Sequence, residues 1–232
     1  MDENGWISTA KRRQDDGIIS LSPTGLGEFL DCERCGFRKA HGLAVPRMKY
    51  PSLPGGVDIA LHELSNLHRL GGQLPSLWGS DLPGRRLYHE LPKKISWMWE
   101  EQGVRFGGTP DEWVLESDGS LSVLDYKTRG FSNKLEIYPS YQLQMSSYAL
   151  LAQMNEGFPP LSGRAYLVFF APDLRELELA WHIEVAELQV DPEAALEAVR
   201  RAAEIIRGPM PAAADDCKVC NWLAECYGGQ VA

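Results

Sequence analysis

Three side chains in one stretch of this sequence have the types and spacing to do chemistry: Asp111, directly after Pro110, Asp125, and Lys127 two positions on. Two carboxylates can hold Mg2+ or Mn2+, hard cations that prefer oxygen ligands and keep several waters. A metal held there would polarise a phosphoryl oxygen and lower the pKa of a bound water. A neighbouring ammonium could orient that water or neutralise charge developing on a phosphate. The trio therefore suits metal-assisted hydrolysis of a phosphodiester. Taken alone, it also suits an ordinary surface hairpin carrying a lysine–aspartate pair.

The elements around the trio say how it would be positioned. Trp113, Val114 and Leu115 precede the turn signal Ser117-Asp118-Gly119-Ser120, and Leu121, Val123 and Leu124 follow it. This pattern predicts a hairpin. Residues two apart on a strand share a face, so Asp125 and Lys127 point the same way. Register then matters. A two-residue loop at Asp118-Gly119 would set Asp111 opposite Tyr126, on the wrong face. A loop centred on Asp118 or Gly119 would set it opposite Asp125 or Lys127. A metal site requires an odd-length loop or a bulge here.

Gln144 and Tyr148 follow on a helical stretch, one turn apart on one face. Leu143, Leu150 and Leu151 can pack that helix on a sheet. The order Pro-Asp, hairpin, Asp-x-Lys, then Gln-x-x-x-Tyr resembles the PD-(D/E)XK nuclease superfamily in its RecB-like branch. Gly108-Thr109-Pro110-Asp111 resembles the second motif of that family, Leu124-Asp125-Tyr126-Lys127 the third, and Gln144 with Tyr148 the motif used beside the active site, near DNA. The resemblance implies Asp111 and Asp125 as metal ligands, Lys127 as the residue that activates water or stabilises the transition state, and Gln144 and Tyr148 as positioning residues. It makes Arg129 a candidate phosphate contact.

The family carries its first motif on a helix, usually as a histidine near a glycine. The segment from Gly56 to Arg69 has helical spacing of Val57, Leu61, Leu64 and Leu67. Counted from Gly55-Gly56, the matching position is Asp58, a departure from the family pattern. His62 lies one turn later as the alternative, and His68 is a weaker choice. Should none of them reach the metal, the resemblance leaves Asp111, Asp125 and a backbone carbonyl from Tyr126.

The five cysteines fall in two groups, Cys32 and Cys35, then Cys217, Cys220 and Cys226. In a cytosolic chain that clustering favours metal or cluster ligation over disulfides. The late spacing, C-x2-C-x5-C, resembles iron–sulfur RecB-like nucleases, including CRISPR-adaptation and AddB-type enzymes. There one early and three late cysteines hold a [4Fe-4S] cluster that staples the domain ends together. That resemblance implies Cys32, Cys217, Cys220 and Cys226, with Cys35 left over. The residues themselves also allow a Zn2+ site of four thiolates from the two CxxC pairs, Cys32-Cys35 and Cys217-Cys220, with Cys226 left over.

Composition narrows the class. The chain has 232 residues, 44% apolar and 24% charged, as in an ordinary soluble globular protein. No apolar run reaches the ~18 residues of a membrane span. The polar start MDENGWISTAKRRQDDG lacks the apolar core of a signal peptide, which points to the cytoplasm. A net charge of −9 argues against a broad electrostatic grip on nucleic acid, though not against a local basic groove. Arg85, Arg86, Lys93, Lys94, Arg129 and Lys134 are the groove candidates.

The rest of the chain supplies a frame. Residues 1–19 read as a flexible arm. Ser22 and Pro23 suit an N-cap and first helical position, with Leu26, Phe29 and Leu30 as the apolar face. Pro46–Gly56 and Gly71–Pro83 read as loops, the second a possible flap. Trp97, Met98 and Trp99 mark an extra strand or helix. Arg164–Phe170 reads as a buried strand, Leu177–Val185 as a half-buried one, and Asp191-Pro192 starts a helix to about Ile206.

The expected fold is α/β, restriction-endonuclease-like: a mixed sheet flanked by helices, with an N-terminal helical part and a C-terminal cysteine knuckle. Residues 20–232 form one expected domain, with a core at 86–186 and cysteine-ligated ends at 20–42 and 209–232. The expected activity is that of a divalent-metal-dependent DNA exonuclease acting on ends or single strands. It would fit DNA repair or antiviral defence, with a helicase or other nucleic-acid-processing partner and no membrane. The alternative is a catalytically weak or inactive nuclease-fold subunit that binds DNA or a partner, with zinc in place of the cluster.

Overall fold

The computed structural model describes residues 17–43, 53–88, 92, 94–130, 136–175 and 178–226. The expected helix start is preceded by a short strand, β1 (Ile19–Leu21), so Ile19 is not part of an arm. The remainder of that arm, residues 1–16, lies outside the described residues, as do Lys93 and Lys134. α1 (Pro23–Asp31) begins as expected. Ser22 accepts a hydrogen bond from the Gly25 N–H, and Pro23 needs no donor in the first turn. Leu26 is buried, but Leu30 is 52% exposed and does not join the apolar face expected of it.

α2 (Glu33–Ala40) follows directly, with Cys32 in extended backbone between the two helices. α3 (Leu53–Arg69) starts inside the segment expected to be a loop. Leu61 is buried while Leu67 is 79% exposed. The second expected loop holds a short helix, α4 (Ser76–Gly79), with Trp78 fully buried against Tyr126 and Phe170. That aromatic anchor makes the segment part of the core and leaves no free flap around Trp78.

Two mixed sheets form the centre. The smaller has the order β1-β4-β3, where β3 is Ile95–Trp99 and β4 is Val104–Gly108. β4 pairs in parallel with β1 and antiparallel with β3. The larger has the order β2-β5-β6-β7-β8, with β2 (Arg86–Leu87), β5 (Glu112–Leu115), β6 (Leu121–Thr128), β7 (Leu161–Arg175) and β8 (Glu178–Gln189). β6 and β7 are parallel, joined through α5 (Pro139–Gln153), and the other pairs are antiparallel. The chain leaves the smaller sheet at Gly108 and enters the larger at Glu112, so Thr109-Pro110-Asp111 is the passage between sheets.

Alternation along β6 divides the core. Leu121 and Val123 face one cluster with Trp113, Leu167, Met145, Tyr148 and Leu151. Leu124 and Tyr126 face the other with Leu61, Trp78, Val114, Val168 and Phe170. Residues Gln144 to Ala152 of α5 are all buried, because this helix lies between the larger sheet, α1 and α6 (Pro192–Arg207). α7 (Lys218–Cys226) ends the described chain. The architecture is the expected mixed α/β fold flanked by helices.

Candidate active site and metal centres

The hairpin register decides where Asp111 lies. Leu115 pairs with Leu121 and Glu112 with Leu124, and the Glu116 N–H donates to the Ser120 carbonyl at 2.8 Å. Three residues, Ser117 to Gly119, remain as the loop. Gly119 takes the left-handed conformation, φ 83°, that such a loop needs. The loop is odd in length and centred on Asp118. One step beyond Glu112–Leu124, Asp111 falls opposite Asp125, on the face required for a shared site.

Asp111 is held as well as placed. Its Oδ2 accepts the Tyr126 backbone N–H at 2.8 Å. Its Oδ1 stands 3.6 Å from His62 Nε2, which is itself 3.8 Å from Asp58 Oδ1 one helical turn back on α3. The ligand atoms of Asp58, His62 and Asp111 lie within 4.8 Å of one another, so both alternatives for the first motif reach Asp111. His68 is turned away, its Nδ1 bonded to the Leu64 carbonyl at 2.9 Å. The Tyr126 phenol is buried and bonded to Ser65 at 2.6 Å, and its N–H is committed to Asp111.

Asp125 and Lys127 lie behind this group. Lys127 Nζ is ion-paired with Asp125 Oδ2 and donates to Gln144 Oε1 at 2.9 Å. Gln144 Nε2 reaches Asp125 Oδ1 at 3.3 Å and Thr24 Oγ1 on α1 at 3.4 Å. Tyr148 donates to the Thr109 carbonyl at 3.0 Å, which steadies the passage that carries Asp111. Gly108 allows this approach: a Cβ there would stand 2.9 Å from Pro23 Cδ and 3.1 Å from Tyr148.

The electrostatics are those of crowded carboxylates. Burial, then the charge of Asp125, pushes Asp111 up to about 7, against the Tyr126 N–H and Lys127. Burial also raises Asp125, and Lys127 offsets part of that. Two carboxylate oxygens and an imidazole nitrogen, with a third carboxylate pressing on them, form a donor set that fits a divalent cation.

Several neighbours carried no signal on their own in the sequence. Tyr141 lies three residues before Gln144, and its ring stands 4.9 Å from Lys127 Nζ; the helical spacing to Gln144 would have found it. Thr24 becomes relevant only because α1 packs on α5. Arg69 grips buried Glu112 at 2.6 Å beside Asp111. Among the groove candidates, Arg85 instead serves the structure, bonded to buried Glu116 at 2.7 Å and to Tyr166 at 3.0 Å. Arg129 packs over the Phe169 ring at 3.9 Å and bonds the Glu136 carbonyl. Arg86 and Lys94 are exposed.

The cysteines converge at the other end of α1. Cys32, Cys35, Cys217 and Cys220 have their sulfur atoms within 4.8 Å of one another. Cys226 is exposed and outside that group, so the described quartet contains Cys35 where the late triple led us to expect Cys226. Arg34, donating to the Pro211 carbonyl at 2.8 Å, adds a second tie between α2 and the C-terminal segment.

Comparison with known proteins bears on the whole arrangement. A profile of the PD-(D/E)XK nuclease superfamily matches residues 67–227. No curated protein matches the chain. Among solved structures, the chain is similar to one titled "Crystal structure of SSO0001", at 15% identity and a TM-score of 0.44 over 83% of this chain and 79% of that one. No helix among the described residues is long and apolar enough to cross a membrane. With its family profile covering Asp111, Asp125, Lys127, Gln144 and Tyr148 and all of the larger sheet, the chain belongs to the PD-(D/E)XK nuclease superfamily.

Proposed function

We propose that this protein is a divalent-metal-dependent DNA nuclease, acting as an exonuclease at DNA ends or on single strands in the cytoplasm. The observation that carries the reading is the convergence of Asp58, His62 and Asp111 beside the Asp125–Lys127–Gln144 chain, whose Asp125 and Gln144 are buried. Asp111 and Asp125, with Asp58 and His62, would hold Mg2+ or Mn2+. Such an ion, when bound, polarises the phosphoryl oxygen and makes a nucleophile of water near neutral pH.

The chain's own groups do the rest. The Tyr126 N–H fixes Asp111 Oδ2 and leaves Oδ1 directed to the His62 side. Gln144 holds the Lys127 ammonium beside Asp125, where it can orient water or balance charge on the phosphate. Tyr148 fixes the Thr109 carbonyl and with it the Pro110-Asp111 corner. Tyr138 is 45% exposed and meets Tyr141 edge-on at 5.3 Å, next to Lys127, a surface on which an unpaired base can stack. With a net charge of −9, long tracking along a duplex by phosphate contacts is disfavoured. That combination favours ends and single strands, with a helicase or similar partner to supply them.

The test is cleavage by the full chain with Mn2+ of end-labelled single-stranded DNA, blunt duplex, closed circular duplex and RNA, beside Lys127→Ala. Release of short products from DNA ends, absent in the variant, is expected. Cutting of closed circles would overturn the exonuclease assignment. Preference for RNA would overturn the substrate. No cleavage by the intact chain would favour the non-catalytic subunit.

A further inference from the structure

The four clustered thiols stand too close together for the cluster that the late C-x2-C-x5-C spacing suggests. Cys35 Sγ is 3.5 Å from Cys217 Sγ and 3.7 Å from Cys220 Sγ, and Cys32 Sγ is 3.9 Å from Cys220 Sγ. Four thiolates at ~2.3 Å around one tetrahedral ion have sulfur atoms ~3.8 Å apart. In a [4Fe-4S] cluster each thiolate caps a different iron, so the sulfurs must surround eight inorganic atoms and cannot approach to van der Waals contact.

From this spacing we infer that Cys32, Cys35, Cys217 and Cys220 form a single-ion Zn2+ centre, and that Cys226 takes no part in it. Both halves have the same local form. Cys32 directly precedes α2 and Cys35 lies in its first turn; Cys217 directly precedes α7 and Cys220 lies in its first turn. The Gly36 N–H donates to the Cys32 carbonyl and the Asn221 N–H to the Cys217 carbonyl, at 3.1 Å and 2.9 Å. Each C-x2-C is thus a tight turn whose two sulfurs face one point, at helix starts where negative charge is favoured. The Ala214 N–H, 3.5 Å from Cys32 Sγ, supplies a hydrogen bond of the kind that steadies a ligating thiolate.

Geometry also explains why Cys226 is outside. α7 runs unbroken from Lys218 to Cys226, so Cys226 is six residues past Cys220. In a helix that is ~9 Å along the axis and well round the circumference. A [4Fe-4S] reading would need this helix to unwind after Cys220.

The centre joins residues 182 to 188 positions apart in sequence. It therefore clamps the α1–α2 elbow, whose Thr24 touches Gln144, to the C-terminal segment. Zinc is redox-inert and every ligand position is filled by protein, so the role is structural. This inference does not depend on the nuclease reading.

The test is metal and acid-labile sulfide analysis of the full chain, expressed with iron and zinc both supplied and purified anaerobically, beside Cys35→Ser and Cys226→Ser. About one zinc per chain with only traces of iron and sulfide is expected. Cys226→Ser should keep its zinc, while Cys35→Ser should lose it to a competing chelator at least ~10-fold more readily. Iron and sulfide near four per chain, or their loss in Cys226→Ser, would overturn the inference. Protein that binds neither metal would overturn it equally. If Cys35→Ser is insoluble, Co2+ loading of the intact chain replaces it: a tetrahedral four-thiolate spectrum, unchanged in Cys226→Ser, is expected, and a spectrum altered by Cys226→Ser would count against the assignment.

Discussion

Lys127 Nζ and Asp125 Oδ2 form an ion pair in which the lysine is 16% exposed and the aspartate 5%. The carboxylate that would hold a cation is therefore already neutralised by the ammonium beside it. If an ion takes Asp125 as proposed, metal and lysine would compete for it, and removing the lysine would leave that charge to the ion. Lys127→Met should bind Mn2+ as tightly as the parent or more tightly, by calorimetry, while cleavage falls by about 100-fold or more. Weaker Mn2+ binding in this variant would mean that the lysine shapes the site and does not oppose the ion.

Asp58 and His62 both approach Asp111, and neither is needed by the core. Asp58→Ala and His62→Ala should each raise the Mn2+ concentration for half-maximal cleavage roughly 10-fold or more, with little change in thermal unfolding. A variant with unchanged metal dependence would remove that residue from the ligand set.

Glu116 lies on the far side of the sheet, its side chain 3% exposed. Burial raises its carboxyl, but hydrogen bonds from Ser122 and Tyr166 and the Arg85 charge outweigh burial and hold it below the ordinary 4.5. A depressed folded value stabilises the protein above the unfolded pKa, and that stability is lost as pH falls through the folded value. The denaturation midpoint should drop as pH falls below the ordinary 4.5 toward the lower folded value, and Glu116→Gln should drop less steeply there. Glu116→Ala, which strands Arg85, should cost about 3 kcal/mol. Parallel pH profiles for the parent and Glu116→Gln would show that other groups control acid unfolding.

Tyr148 is buried, and its hydroxyl bonds the Thr109 carbonyl. Tyr148→Phe keeps the ring in the core and removes that bond. Stability should fall by only about 1 kcal/mol, while cleavage falls more than binding of DNA does, because the Asp111 corner loses its support. Equal losses in binding and cleavage would place Tyr148 on the substrate instead.

Local pattern carried much of this. Asp111, Asp125 and Lys127, the hairpin, the Ser22 cap and the β7 strand were legible because each depends on a period, a turn or a cap within a few residues. Three features were less legible. β1 has only three residues, too few for a period, and exists because β4 lies alongside it. α4 is likewise short, and only the pocket between Tyr126 and Phe170 explains its Trp78. Arg85 has the sequence signature of a surface cation, and only the buried Glu116 beside it gives it a structural role.

The sequence by itself determined which residues could act, and left the loop length open; the three-residue loop around Asp118, seen in the strand register, puts Asp111 and Asp125 on one face. Tertiary structure decided what meets them. Asp58 and His62 are one turn apart on the same helix, so only the approach of α3 to Asp111 brings both within reach. Cys35 and Cys226 are each three to six residues from another cysteine, and spacing could not choose between them. The choice follows from two helices starting at one point in space, which puts Cys35 among the other three sulfurs and carries Cys226 away along α7.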